Sequence, residues 1–232
     1  MSNINSAYNM TAQITLPQGL CHTTKDVAVN VLAEAFQDDS FHRYVLATWN
    51  TSNPSEPISV DLNRTFFDEM LTQLKDEGAL FLGVPDAPMV MVCQFEVVGQ
   101  HSGASEAGDS AEPLAVRELS AKSAALLQKV YNKGQEVLHV YLVGKGEKAQ
   151  EQTSTTGKDM LSSLVRLADA RGWSMFLEAT SEQSRDLFQS LGFRVVHEMN
   201  LGRGIVDGDG YPQRDGSGVS VWFACRASRR QT

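Results

Sequence analysis

The stretch Phe176–Val196, FLEATSEQSRDLFQSLGFRVV, decides the fold. It opens on an apolar run, Trp173 to Ala179, which reads as a strand. Thr180 followed by Gln183 has the form of a capping box, and Leu187, Phe188 and Leu191 then recur at helical spacing. Gly192 stands where a left-handed C-cap stops a helix, and Phe193 to Met199 returns to strand composition.

Working backward, Gly157 opens a helix with a sustained apolar stripe through Met160, Leu161, Leu164, Val165, Leu167 and Ala168, ended by Gly172. Before it, Val137 to Val143 (VLHVYLV) is a continuous apolar strand of the kind buried on both faces. Its period places His139 and Tyr141 on one side, and its position predicts a central strand. Leu114 to Tyr131 reads as a helix, and His101 to Pro113, rich in Gly, Ser and acids, as a flexible loop at about 101–113. Ala79 to Gly83 and Met89 to Val98 form a hairpin around a Pro-rich turn. Near the start, Thr23 and Asp26 suggest a capping box for a helix through Val27 to Phe36, Ile14 to Leu16 a first strand, and 1–12 a tail. Phe41 to Thr48 and Leu62 to Leu74 read as further helices. At the other end, Val219 to Cys225 is a strand that pairs with Phe193 to Met199 across a long loop, about 201–218.

The bulk properties narrow the function. With 232 residues the expectation is a single domain, 1–232. A net charge of −8 argues against a phosphate-tracking surface, so no nucleic-acid partner is expected. No basic and apolar leader and no run of about 18 apolar residues is present, so a cytoplasmic chain with no membrane partner is expected, as monomer or homodimer. Cys21, Cys93 and Cys225 have no CxxC spacing, and the five His form neither HxxxH nor HExxH, so no metal is expected.

The order of elements, with VYLVG, QTSTTGKDML and FLEATSEQSRDLFQSLGFRVV, and more weakly LAEAFQDDSFHRYV, resembles the GNAT superfamily of N-acetyltransferases. It is nearest to the puromycin N-acetyltransferase-like branch and its fungal relatives. The resemblance implies an α/β (α+β) acyl-CoA N-acyltransferase fold, with a mixed central sheet of about seven strands and helices on both faces. It implies acetyl-CoA, or another acyl-CoA, as cofactor and a small-molecule amine as acceptor, with direct transfer in a ternary complex. The family's phosphate loop falls on Gln152, Thr153, Ser154, Thr155, Thr156, Gly157 and Lys158, where backbone N–H groups at a helix start favour an anion. Thr155 departs from the small residue expected there, although the hydroxyls of Ser154, Thr155 and Thr156 can donate to phosphate. Leu142, Val143 and Phe188 complete the cofactor contacts.

Phe188 stands where many relatives carry a Tyr that protonates the departing thiolate, and Phe cannot donate a proton. Ser184, one turn earlier, or water is left for that role. The base has three candidates, Glu178, His139 and Tyr141, and Glu178 matches an acidic position of the puromycin-like branch. The acceptor pocket is expected from Phe36, Asp39, Phe41 and Tyr44 on the first helices and from Tyr211 in the late loop. A protein that keeps the fold and binds CoA without transfer, or runs another reaction in the same cleft, is the alternative.

Overall fold

The computed structural model describes residues 14–49, 59–85, 87–99, 113–146 and 157–228. In chain order these form β1 (Cys21–His22), α1 (Lys25–Ala35), α2 (Ser40–Trp49), α3 (Val60–Asp76), β2 (Leu80–Val84), β3 (Ala87–Val97), α4 (Leu114–Val130), β4 (Glu136–Lys145), α5 (Gly157–Arg171), β5 (Ser174–Ala179), α6 (Glu182–Ser190), β6 (Arg194–Leu201) and β7 (Val219–Arg226). The strands make one seven-stranded sheet in the order β1-β2-β3-β4-β5-β7-β6. Only β4 and β5 run parallel; every other pair is antiparallel.

Alternation along the strands divides the interior into two layers. Val137, Phe176, Val221 and Phe223 face α1 to α4, whereas Leu138, Val140, Met175, Leu177 and Trp222 face α5 and α6. Each fully buried side chain of the size of Phe176 or Leu138 contributes about 1.5–3 kcal/mol relative to exposure. β4 is central, as VLHVYLV predicts, and β6 pairs with β7 as expected, although β7 lies inside β6 and next to β5.

Three local expectations shift. Ile14 and Leu16 pack against the α5–α6 layer without joining the sheet, because a turn closed by the Leu20 N–H on the Pro17 carbonyl (3.1 Å), with Gly19 at φ 92°, delays the first strand to Cys21. The α1 cap falls on Thr24, whose hydroxyl accepts from Val27 N–H at 3.3 Å, since the Thr23 N–H is held by the Phe81 carbonyl at 3.0 Å. The α6 cap is a box between Ser181 and Ser184, because the Thr180 hydroxyl donates instead to Asp39 at 2.6 Å.

What positions the site is the parting of β4 from β5. Their ladder runs from Val137↔Ser174 to Val140↔Leu177 and stops there. Beyond it β4 continues against β3 alone, out to Lys145, while β5 continues against β7 to Ala179. A bulge marks the divergence: Cys93 opposes Val140 and Val92 opposes Leu142, so Tyr141 is the extra residue.

Candidate active site

On the face of the sheet covered by α1 to α4, at this divergence, three strands bring charged side chains together. His139 of β4 sits between two carboxylates, with its Nδ1 2.5 Å from Glu96 Oε1 on β3. Its Nε2 lies 2.8 and 3.1 Å from the two carboxylate oxygens of Glu178 on β5. The Tyr141 hydroxyl donates to the same Glu96 oxygen at 2.5 Å, and its ring stacks on the imidazole with centroids 4.1 Å apart. From above, α4 lowers Ser123, whose hydroxyl donates to Glu178 Oε1 at 2.5 Å. Phe176 closes the underside with its ring edge toward the imidazole at 5.2 Å.

The network is buried: the side chains of His139, Glu96 and Glu178 are 4%, 4% and 8% exposed. Burial alone would drive the imidazolium toward neutrality, but the charges and hydrogen bonds of Glu178 and Glu96 outweigh it and raise His139 to about 10. Geometry agrees, since each ring nitrogen faces a carboxyl oxygen and donates to it when protonated. At neutral pH His139 is therefore held as an imidazolium between the two acidic side chains. Burial, followed by the neighbouring carboxylates of Glu96 and Glu178, pushes the Tyr141 phenol well above its ordinary value, so it is a poor proton donor to anything but Glu96.

The sequence candidates separate into those this site gathers and those it does not. His139, Tyr141 and Glu178 meet, as the shared strand face implies. Asp39 caps α2, accepting from His42 N–H at 2.7 Å and from the Thr180 hydroxyl at the end of β5. Burial raises its carboxyl, against the opposing pull of Thr180, two backbone N–H groups and Arg43. Phe41 belongs to the core, and Phe36, partly buried, packs against it, edge-on to Phe67 at 5.6 Å. Tyr44 is fully buried and donates to Glu118 at 3.0 Å, which also accepts from Gly202 N–H. Tyr211 is exposed beneath the Arg43 guanidinium, 4.4 Å from its ring centre, where the late loop docks on α2. These five thus do not form one wall.

On the opposite face, Phe188 is buried against Phe193, and Ser184 is engaged in the capping box with Ser181. Leu142 and Val143 lie on the part of β4 that has left β5. Gly157 starts α5 and Lys158 is exposed in its first turn, while Gln152, Thr153, Ser154, Thr155 and Thr156 lie outside the described residues. Sequence reasoning missed two members. Glu96 had a signal, being a lone acid in the apolar strand MVMVCQFEVV; Ser123, one of several small residues in α4, had none.

Acetyl-CoA can be tested against this geometry. From Tyr141 onward the β5-facing edge of β4 has no strand partner, which offers backbone N–H and C=O groups to an extended amide-bearing arm. The helix start at Gly157 suits a phosphate, and the nearest atom to an added Cβ there is Met89 Cε at 3.9 Å, so the backbone is approachable. The residues fit the group. Among the described residues no group of three or more His, Cys, Asp or Glu could hold a metal ion, and no helix is long and apolar enough to cross a membrane.

No protein-family model matches the sequence, and no curated protein does. Solved structures do match. Arylalkylamine N-acetyltransferase 2 from Aedes aegypti is 16% identical with a TM-score of 0.59, covering 90% of this chain and 97% of its own. An agmatine N-acetyltransferase in its apo form is 14% identical with a TM-score of 0.57, over 90% and 98%. The chain has the GNAT acyltransferase fold. A third match is the C-terminal condensation domain of Ebony in complex with beta-alanyl-dopamine, 10% identical with a TM-score of 0.56, over 92% and 100%. At such identities the likeness establishes the architecture, and the chemistry must come from the site.

Proposed function

We propose that the protein is an acetyl-CoA-dependent N-acetyltransferase that acts on a small amine in a ternary complex, with the Glu178–His139 cluster handling the amine's proton. The observation that carries this reading is the buried Glu96–His139–Glu178 cluster at the point where β4 and β5 part in a GNAT fold. Structural neighbours named as arylalkylamine and agmatine N-acetyltransferases support the acceptor class. The acid at Glu178 agrees with a place near the puromycin N-acetyltransferase-like branch, and a single-domain cytoplasmic monomer or homodimer goes with it.

Acetyl-CoA, when bound, supplies a thioester whose carbon–sulfur bond breaks as the amine nitrogen bonds to the carbonyl carbon. The β4 edge from Tyr141 to Lys145 and the start of α5 at Gly157 and Lys158 would hold it. An ammonium ion is not a nucleophile, so one proton must leave the acceptor first. Glu178 is the carboxylate on the β5 side of the imidazole, beside the gap, and takes that proton through water. Two acidic side chains around one histidine also favour a cationic acceptor over an anionic one. Phe188 has no proton to give and Ser184 is occupied by the cap, so water supplies the proton to the leaving sulfur.

Those same two residues favour one second reading, a different acyl condensation in the same cleft, the kind of activity that the Ebony condensation domain exemplifies on this fold. Thermal denaturation with acetyl-CoA at ~100 times its dissociation constant tests the first reading, with an expected gain of about 2.7 kcal/mol. No gain with acetyl-CoA, and amine-independent thiol release, would overturn it.

A further inference from the structure

We propose that Glu96 is a positioning residue for the proton-transfer centre: it fixes the orientation and charge of His139 from the β3 side, so that Nε2 is committed to Glu178. This rests on the transferase reading for its consequence in catalysis, though not for the coupling between the two side chains.

The argument begins with register. Gln94 opposes His139 and Glu96 opposes Val137, so Glu96 is the diagonal neighbour of His139 on the same sheet face, within reach of a long side chain. Its side chain is 4% exposed, and a carboxylate so far from water is costly unless its charge is met. One oxygen meets two donors, His139 Nδ1 and the Tyr141 hydroxyl, each at 2.5 Å. An imidazole ring has two nitrogens on opposite sides, so fastening Nδ1 to β3 turns Nε2 toward β5 and Glu178. Glu96 lies on the far side of the ring from the β4–β5 gap, so it acts through His139 and not on the acceptor.

The titratable groups facing the imidazole are Glu96 from β3, Tyr141 from β4 and Glu178 from β5; α4 contributes the neutral Ser123, and Glu77, at the end of α3, acts on Tyr141. With an acidic side chain on each side, the proton on His139 is shared, and removing either acid should release it earlier.

The test is the imidazole titration of His139 by NMR in the intact protein, alongside the pH profile of amine-dependent thiol release. In the wild type the ring should stay protonated well above neutral pH, with a midpoint raised toward about 10. Glu96→Gln keeps the side-chain volume and removes the charge, which should lower that midpoint by about one to three pH units and shift the pH profile in the same direction. Tyr141→Phe removes a donor from Glu96 and leaves its charge undivided for His139, so the midpoint should rise. This second variant decides the matter where Glu96→Gln does not fold. An unshifted midpoint in folded Glu96→Gln, a midpoint in Tyr141→Phe that does not rise, or a loss of rate with an unmoved pH profile would each overturn the assignment. A shifted titration in a protein that releases no thiol to any amine overturns the transferase reading instead, and an unshifted titration with normal turnover overturns only the role of Glu96.

Discussion

Replacing Glu178 with Gln removes one charge from the centre of the network while keeping its volume. The Gln amide can still accept from Ser123, but the atom turned toward His139 Nε2 is then a carbonyl that has lost its charge or an amide that meets donor with donor. The two contacts at 2.8 and 3.1 Å are charge-assisted, and one such hydrogen bond is worth about 1.5–3 kcal/mol. The imidazolium keeps Glu96, so the loss should stay below the roughly 3–5 kcal/mol of a buried ion deprived of every partner. For a chain of this size that predicts a Tm lower by about 4–10 °C. Acetyl-CoA binding, which we propose on the β4 edge and the α5 start, should persist, whereas amine-dependent thiol release should fall by roughly 100-fold or more, the scale of acid–base catalysis. Paired thermal melts and initial rates check both. Wild-type turnover in a folded Glu178→Gln protein would refute the proton-transfer role and leave the cluster as structure.

His42, packed among Phe36, Phe66 and Phe67 and bonded to Asn63 at 3.0 Å, is lowered by burial to about 4. Its contribution is complete above the unfolded value of 6.5 and is lost as pH falls through 4, about 3 kcal/mol in all; denaturant titrations should show a shallower pH dependence in that window for His42→Phe. Gly210, at φ 83°, would place an added Cβ 2.1 Å from the Ser40 carbonyl oxygen, so Gly210→Ala should undock the late loop from α2 and cost about 1–3 kcal/mol, visible as faster hydrogen exchange between Leu201 and Gly218. Gly157→Pro should abolish acetyl-CoA binding in calorimetry and Thr155→Gly preserve or improve it; equal affinities would move the phosphate site elsewhere. Phe188→Tyr should raise the turnover rate by supplying an acid, and no gain in a folded protein would place the proton donor elsewhere.

The strands and helices were legible because their burial is periodic: VLHVYLV is central for the same reason that it is apolar throughout, and Gly172 and Gly192 end helices at φ 74° and 85°. Caps shifted by one residue wherever a neighbouring strand or carboxylate had claimed the first hydroxyl, as Asp39 claims Thr180. That His139, Tyr141 and Glu178 share one sheet face was legible because strand alternation is local. Glu96 and Ser123 arrive through register between β3 and β4 and through the docking of α4, neither of which a single sequence states. The first-helix aromatics are ambiguous for a related reason. Residues of that type line pockets or fill cores equally well, and here Phe41 and Tyr44 fill the core with Phe36 packed against it.

The central claim is best tested by incubating the protein with acetyl-CoA and a panel of small amines, measuring thiol release and the acetylated amine by mass spectrometry. Thiol release that depends on an amine, with an equal amount of acetylated product, is the predicted result. Thiol release that is no faster with any amine than without one would contradict it.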